Sequence, residues 1–207
     1  MIFAGRVIET YDFTHPREEI THRLQELTNT DKVVPKKSHQ TALWDSILSS
    51  AALFGPPRVG DGIYPITDGG DNQSHASVGQ VQRTLLSQRI RMFAFVLERR
   101  NFAMEEEQAG VEAVSHLAVE TGGYAASMDQ RAADAQTRMQ SAIVGLYDKI
   151  VYFYRIDLSG PAGKKSVPLK VKVTDGGRVK RSDLTVSYPR ELLGARLSPP
   201  GNPVVGI

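Results

Sequence analysis

Apolar residues recur along the chain with two different periods, and the alternation between them sets out an order of elements. Val7 to Phe13 is rich in β-branched and aromatic residues after a turn at Ala4-Gly5, which predicts a strand. Pro16 and the acidic pair Glu18-Glu19 then open a helix over 16–28, with Ile20, Leu24 and Leu27 along one face. A polar loop containing Pro35-Lys36-Lys37 leads to Thr41, and Leu43, Ile47, Leu48 and Ala51 mark a second helix stopped by Gly55-Pro56-Pro57. Residues 61–67 predict a short buried strand, although Pro65 cannot donate to a ladder. A helix over 77–88, a near-continuous apolar strand from Ile90 to Leu97, and a helix carrying Val111, Val114, Leu117 and Ala118 follow. Gly122-Gly123 stops that helix, Tyr124 to Ser127 predicts another strand, and Met139, Ile143, Leu146 and Ile150 predict a helix over 131–149. Strands and helices alternate, so the expected fold class is α/β: a mostly parallel sheet flanked by helices.

Beyond residue 150 the period shortens. Val151 to Ile156, Val167 to Thr174 and Val179 to Tyr188, joined by turns such as Gly160 to Lys165 and Asp175-Gly176-Gly177, predict an antiparallel β extension. The expected organisation is therefore an α/β domain over 1–150, a β extension over 151–190 and a flexible tail over 191–207 rich in Pro and Gly.

Composition narrows the chemistry. The 207 residues hold 25 Lys+Arg against 23 Asp+Glu, a net charge of +2, so no nucleic-acid partner is expected. Local bias exists, because nine Lys/Arg against three Asp/Glu fall within 160–196, but alternation of Lys170 and Lys172 with Val171 and Val173 reads as a solvent-facing strand row. No run reaches the ~18 apolar residues of a bilayer span, and no basic segment with an apolar block opens the chain. With no cysteine, disulfides, thiolate metal sites and cysteine nucleophiles are excluded. His15, His22, His39 and His116 are scattered, and no Ser-His-Asp order or nucleophile elbow is present, so the chain is not expected to be an enzyme.

Two segments carry a resemblance. Gln40-Thr41-Ala42-Leu43-Trp44-Asp45-Ser46-Ile47 and Ile66-Thr67-Asp68-Gly69-Gly70-Asp71-Asn72 resemble the second and third loops of a von Willebrand factor A domain. Their order, the Ile90-to-Leu97 strand and Leu117 to Gly123 are similar to a bacterial, acidobacterial-type VWFA-related branch, over roughly residues 1–150. The resemblance implies a Rossmann-like fold and a metal-ion-dependent adhesion site, in which Thr41 is the hydroxyl ligand and Asp68 a carboxylate acting through water. Mg²⁺ takes six oxygens in a near-ideal octahedron and keeps waters, so such a site receives an acidic side chain from a protein ligand. The Asp-x-Ser-x-Ser motif that supplies the family's other ligands does not occur upstream of Thr41, and His39-Gln40 stands where the family has Gly-Gly. The domain is therefore expected to lack its first strand and most of its second, to carry an incomplete site, and to hold Mg²⁺ or another divalent cation only together with an upstream segment.

The functional expectation is a non-enzymatic, adhesion-type module for a protein ligand. Its alternatives are a truncated structural remnant that needs a partner chain to complete its sheet, and a hydrolase using Asp68, Asp71 and His75. Family members of this kind are commonly exported, whereas the residues here assign no compartment. Read without the resemblance, Thr41 is an N-cap, Asp68 to Asn72 a turn, His75 a surface histidine, and Glu105 to Glu107 the acidic approach to a helix.

Overall fold

The computed structural model describes residues 1–11, 14–29, 40–98, 105–129, 134–156, 166–175, 179–180 and 185–193. The expectations for Phe13, the Pro35-Lys36-Lys37 loop, the Gly160-to-Lys165 turn, Gly176-Gly177 and positions 194–207 lie outside these residues.

The chain opens with a hairpin, β1 (Ile2–Phe3) and β2 (Val7–Glu9), paired antiparallel. The strand expected to run to Phe13 thus ends at Glu9, and among the described residues it pairs with its own hairpin partner, outside the parallel sheet. Helix α1 (Arg17–Asn29) is tied to it where Arg23 donates to both carboxylate oxygens of Glu9. The Arg23 and Tyr11 hydrogen bonds hold the Glu9 carboxyl down at about 2. The hairpin is anchored onto α2 (Leu43–Ala51) through the Ala42 amide, which donates to Ala4 O at 2.7 Å.

A four-stranded parallel sheet forms the centre. The segment expected as one strand is two, β3 (Gly62–Ile63) and β4 (Ile66–Thr67), separated at Tyr64-Pro65 where proline has no N–H for the ladder. Both pair with β5 (Arg91–Glu98) at one constant offset, Ile63 with Met92 and Ile66 with Phe95, so they behave as a single interrupted edge strand. On the other side β5 pairs with β6 (Tyr124–Asp129) from Phe93–Tyr124 to Glu98–Asp129. Helix α3 (Val78–Gln88) connects β4 to β5 and α4 (Glu105–Glu120) connects β5 to β6, as parallel pairing requires, and α5 (Ala135–Val151) follows β6. Helix α3 starts with a complete capping box between Ser77 and Gln80, and Glu105 to Glu107, expected ahead of a helix, form the first turn of α4.

Period-two burial on β5 divides the core. Met92, Ala94 and Val96 pack with Leu43, Trp44 and Ile47 of α2, Val81 and Leu85 of α3, and Val114 and Leu117 of α4. Phe93 and Phe95 face the other way, onto Met128 of β6 and Leu146 of α5. Thr121 ties α4 to the sheet: its hydroxyl donates back toward Leu117 O and accepts the Met92 amide at 3.0 Å. At Gly123 a Cβ would collide with the Met92 carbonyl, which explains why no side chain is tolerated there.

After α5 the structure departs from the expected strand at Val151 to Ile156. Val151 ends the helix, Tyr152 has an extended backbone, and 152–156 lies outside the described sheets. The antiparallel extension consists of β7 (Ser166–Pro168) with β10 (Glu191–Leu193), and β8 (Thr174–Asp175) with β9 (Val179–Lys180). Positions 191–193, expected in the tail, are therefore a strand. This extension reaches the main body at Pro189, bridged to Thr121, and at the Arg190 amide, which donates to Glu120 O at 3.0 Å. Among the described residues no helix is long and apolar enough to cross a membrane.

Candidate functional site at the start of the second helix

The loop after β4 leaves the carboxyl end of a parallel strand, where open α/β sheets bind their ligands. It crosses the N-terminus of α2, whose first amides have no partner within the helix. The N-cap is Ala42, not Thr41, and it has no side chain that could cap. The loop does this work from a distance in sequence. Asp71 Oδ1 accepts the Leu43 amide at 2.8 Å, and Ser74 Oγ accepts the Asp45 amide at 3.1 Å while donating to Asp71 Oδ1 at 2.5 Å. A carboxylate at a helix N-terminus is also favoured by the macrodipole.

The clasp is reciprocal. The Thr41 amide donates to Asn72 Oδ1 at 2.8 Å, and Thr41 O accepts the amides of Asn72 and Gln73, both at 3.0 Å. Asp45, in the first turn of α2, accepts the His75 amide on Oδ2 at 3.0 Å and the Ala76 amide on Oδ1 at 2.9 Å. These bonds, the His75 amide foremost, hold the Asp45 carboxyl below its ordinary value against the opposing effect of burial. His75 Nδ1 lies 3.2 Å from Asp45 Oδ2, while the imidazole itself is almost wholly in solvent.

The two residues implied as metal ligands are placed in adjoining loops. Thr41 meets the β4 loop at Asn72 and Gln73. Asp68 sits at the loop's start, where its Oδ1 accepts the Gly70 amide at 3.3 Å in a tight turn of its own. The turn is pressed against α4, since a Cβ at Gly110 would collide with the Gly69 carbonyl. The donor set does not fit an octahedral cation. Oxygens of Asp68, Asp71 and Asp45 are engaged by amides, Thr41 contributes its backbone to the clasp, and among the described residues no group of three His, Asp or Glu is arranged to hold a metal ion. The hydrolase trio is also distributed differently from its expectation: His75 pairs with Asp45, whereas Asp71 is bound to Leu43 and Ser74.

Asp45, Asn72 and Ser74 are the residues that sequence reading overlooked. Their roles depend on bonds across about thirty positions, and the only local signal was the density of Asp, Asn and Ser in 68–77, a composition that ordinary turns share. No family model, curated protein or solved structure matches the chain.

Proposed function

We propose that the chain is a non-enzymatic protein-interaction module of the von Willebrand factor A type, in which the β4 loop and the start of α2 form the recognition surface without a metal ion of their own. The observation that carries this reading is the reciprocal clasp between Thr41–Asp45 and Asp71–Ala76. It spends its carboxylates on backbone amides, which gives a rigid display of exposed Asn72, Gln73 and His75 rather than a poised acid, base or nucleophile. Thr41 and Asp68 are then ancestral ligand positions that now serve the loop, and Mg²⁺ or another divalent cation would join only with further oxygen ligands from an upstream Asp-x-Ser-x-Ser segment.

The test is paired. Calorimetric titration of this chain with Mg²⁺ is expected to show no stoichiometric heat, and Asp68→Ala is expected to leave that result unchanged. Stoichiometric binding abolished by Asp68→Ala would refute the metal-free form of the proposal. Gln73→Ala with His75→Ala is expected to abolish binding to a protein ligand without lowering thermal stability. Hydrolytic turnover lost specifically in His75→Ala would replace the proposal with the enzyme reading.

A further inference from the structure

Helix α5 and the chain that follows it leave several large apolar side chains in solvent. Helix α5 turns Met139, Ala142, Leu146 and Ile150 inward onto Phe93 and Phe95. Its opposite face presents Val144 (60% exposed), Tyr147 (61%) and Val151 (44%) at helical spacing. The chain beyond it adds Tyr152 (76%), Tyr154 (98%) and Ile156 (64%). This segment is held in place, because the Arg91 guanidinium lies 4.5 Å from the Phe153 ring centre and donates to Ile150 O at 3.0 Å. Phe153 also packs so closely on Gly60 that a Cβ there would lie 2.8 Å from its ring. The neighbours of Phe153 are thereby displayed, not loose.

The exposed area is informative. With an aromatic side chain offering about 150–250 Å², the three tyrosines at these exposures leave on the order of 500 Å² in water. Val144, Val151 and Ile156 bring the apolar area that α5 and residues 152–156 leave in water to roughly 700 Å², near the ~800 Å² per partner of a stable interface.

We propose that a second copy of this chain closes this face, with the two α5 helices packed against each other about a two-fold axis. Such an isologous contact needs one surface that is complementary to itself. The exposed stripe meets that need: it is uncharged along Val144, Tyr147 and Val151, it continues into Gln140 and Ser141, and the charges beside it, Asp148 and Lys149, are of opposite sign. A net charge of +2 sets no long-range barrier between copies. On the sheet itself one helix about 10 Å wide spans about two strands spaced ~4.8 Å apart, and Ile66, on the same face as its partner Phe95, is left 57% exposed.

Sedimentation velocity on the full chain tests this directly. A species of twice 22.7 kDa is expected, with self-association weakened at least tenfold by Val144→Glu combined with Tyr147→Glu and the far-ultraviolet circular dichroism unchanged. If that double variant does not fold, Tyr154→Glu, beyond the helix and fully exposed, is the substitute and is expected to weaken association in the same direction. A wild-type chain that stays monomeric up to about 500 µM, far above the ~1 µM range of ordinary dimers, overturns the proposal. So does a dimer that Tyr154→Glu and the double variant leave intact, which would place the contact elsewhere on the molecule.

Discussion

Met92, Ala94 and Val96 project from one face of β5 and Phe93 and Phe95 from the other, yet among the described helices the first set lies under α2, α3 and α4 and the second under α5. On the first face the core closes: the α2, α3 and α4 residues that meet it are almost without exposure. On the second, Tyr64 packs against the cluster with its hydroxyl buried and without a hydrogen-bond partner among the described residues, while Ile66 is left 57% exposed. Burial also raises the Tyr64 phenol above its ordinary value. Similar apolar content thus gives two outcomes, because coverage depends on how many helices reach a face rather than on how hydrophobic it is. The clasp at the start of α2 belongs to the closed side, where it fixes one of the three helices that cover that core.

The comparison can be broken most forcefully by cavities. Leu85→Ala, beneath the closed face, is expected to cost about 2–5 kcal/mol in urea unfolding, the range for a buried leucine that neighbours cannot collapse around. Leu146→Ala is the same chemistry on the open face, where α5 can settle toward the sheet, and is expected near the lower end at about 2 kcal/mol. Equal losses would show that the two faces are equally constrained. Next in size is Asp71→Ala, which strips the Leu43 amide and Ser74 of their acceptor and is expected to cost about 1–2 kcal/mol, as removal of an N-cap does. Thr41→Val is expected to be nearly silent, within about 0.5 kcal/mol, since Thr41 joins the clasp through its backbone.

The smallest effect is one of pH. Because the folded-state pKa of Asp45 lies below its ordinary 3.8, the stability it contributes is fully present above that value and is lost as pH falls through the folded-state pKa. Melting temperatures taken from roughly pH 6 down to pH 3 are therefore expected to decline less steeply in Asp45→Asn than in the parent. An identical decline in both would remove Asp45 from the account.

Much of the frame was legible in the residues. The periodicity of Leu43, Ile47 and Ala51, the apolar run through β5, and the stripe of Met139, Leu146 and Ile150 placed the principal helices and the central strand within a few positions. Elements that failed did so for identifiable reasons. Val151 to Ile156 has the composition of a strand, but a strand forms only where an edge pairs with it, and its first residue was recruited into α5. Pro65 split one strand into two, a cost visible in the sequence though not its outcome. At the candidate site, Thr41 looked like the cap because capping is usually local, whereas here Asp71 reaches Leu43 from 28 residues away. Such pairings are properties of the folded chain, and no window of sequence contains them.

The most direct test of unequal coverage is amide hydrogen exchange of the full chain at two protein concentrations. Slow exchange in β5 and in the helices of the closed face is predicted to be independent of concentration. Exchange in α5 is predicted to be faster in dilute solution and to slow as concentration rises and a second copy covers it. Exchange in α5 that is as slow as in α2 when dilute, and unchanged on concentration, would contradict the account.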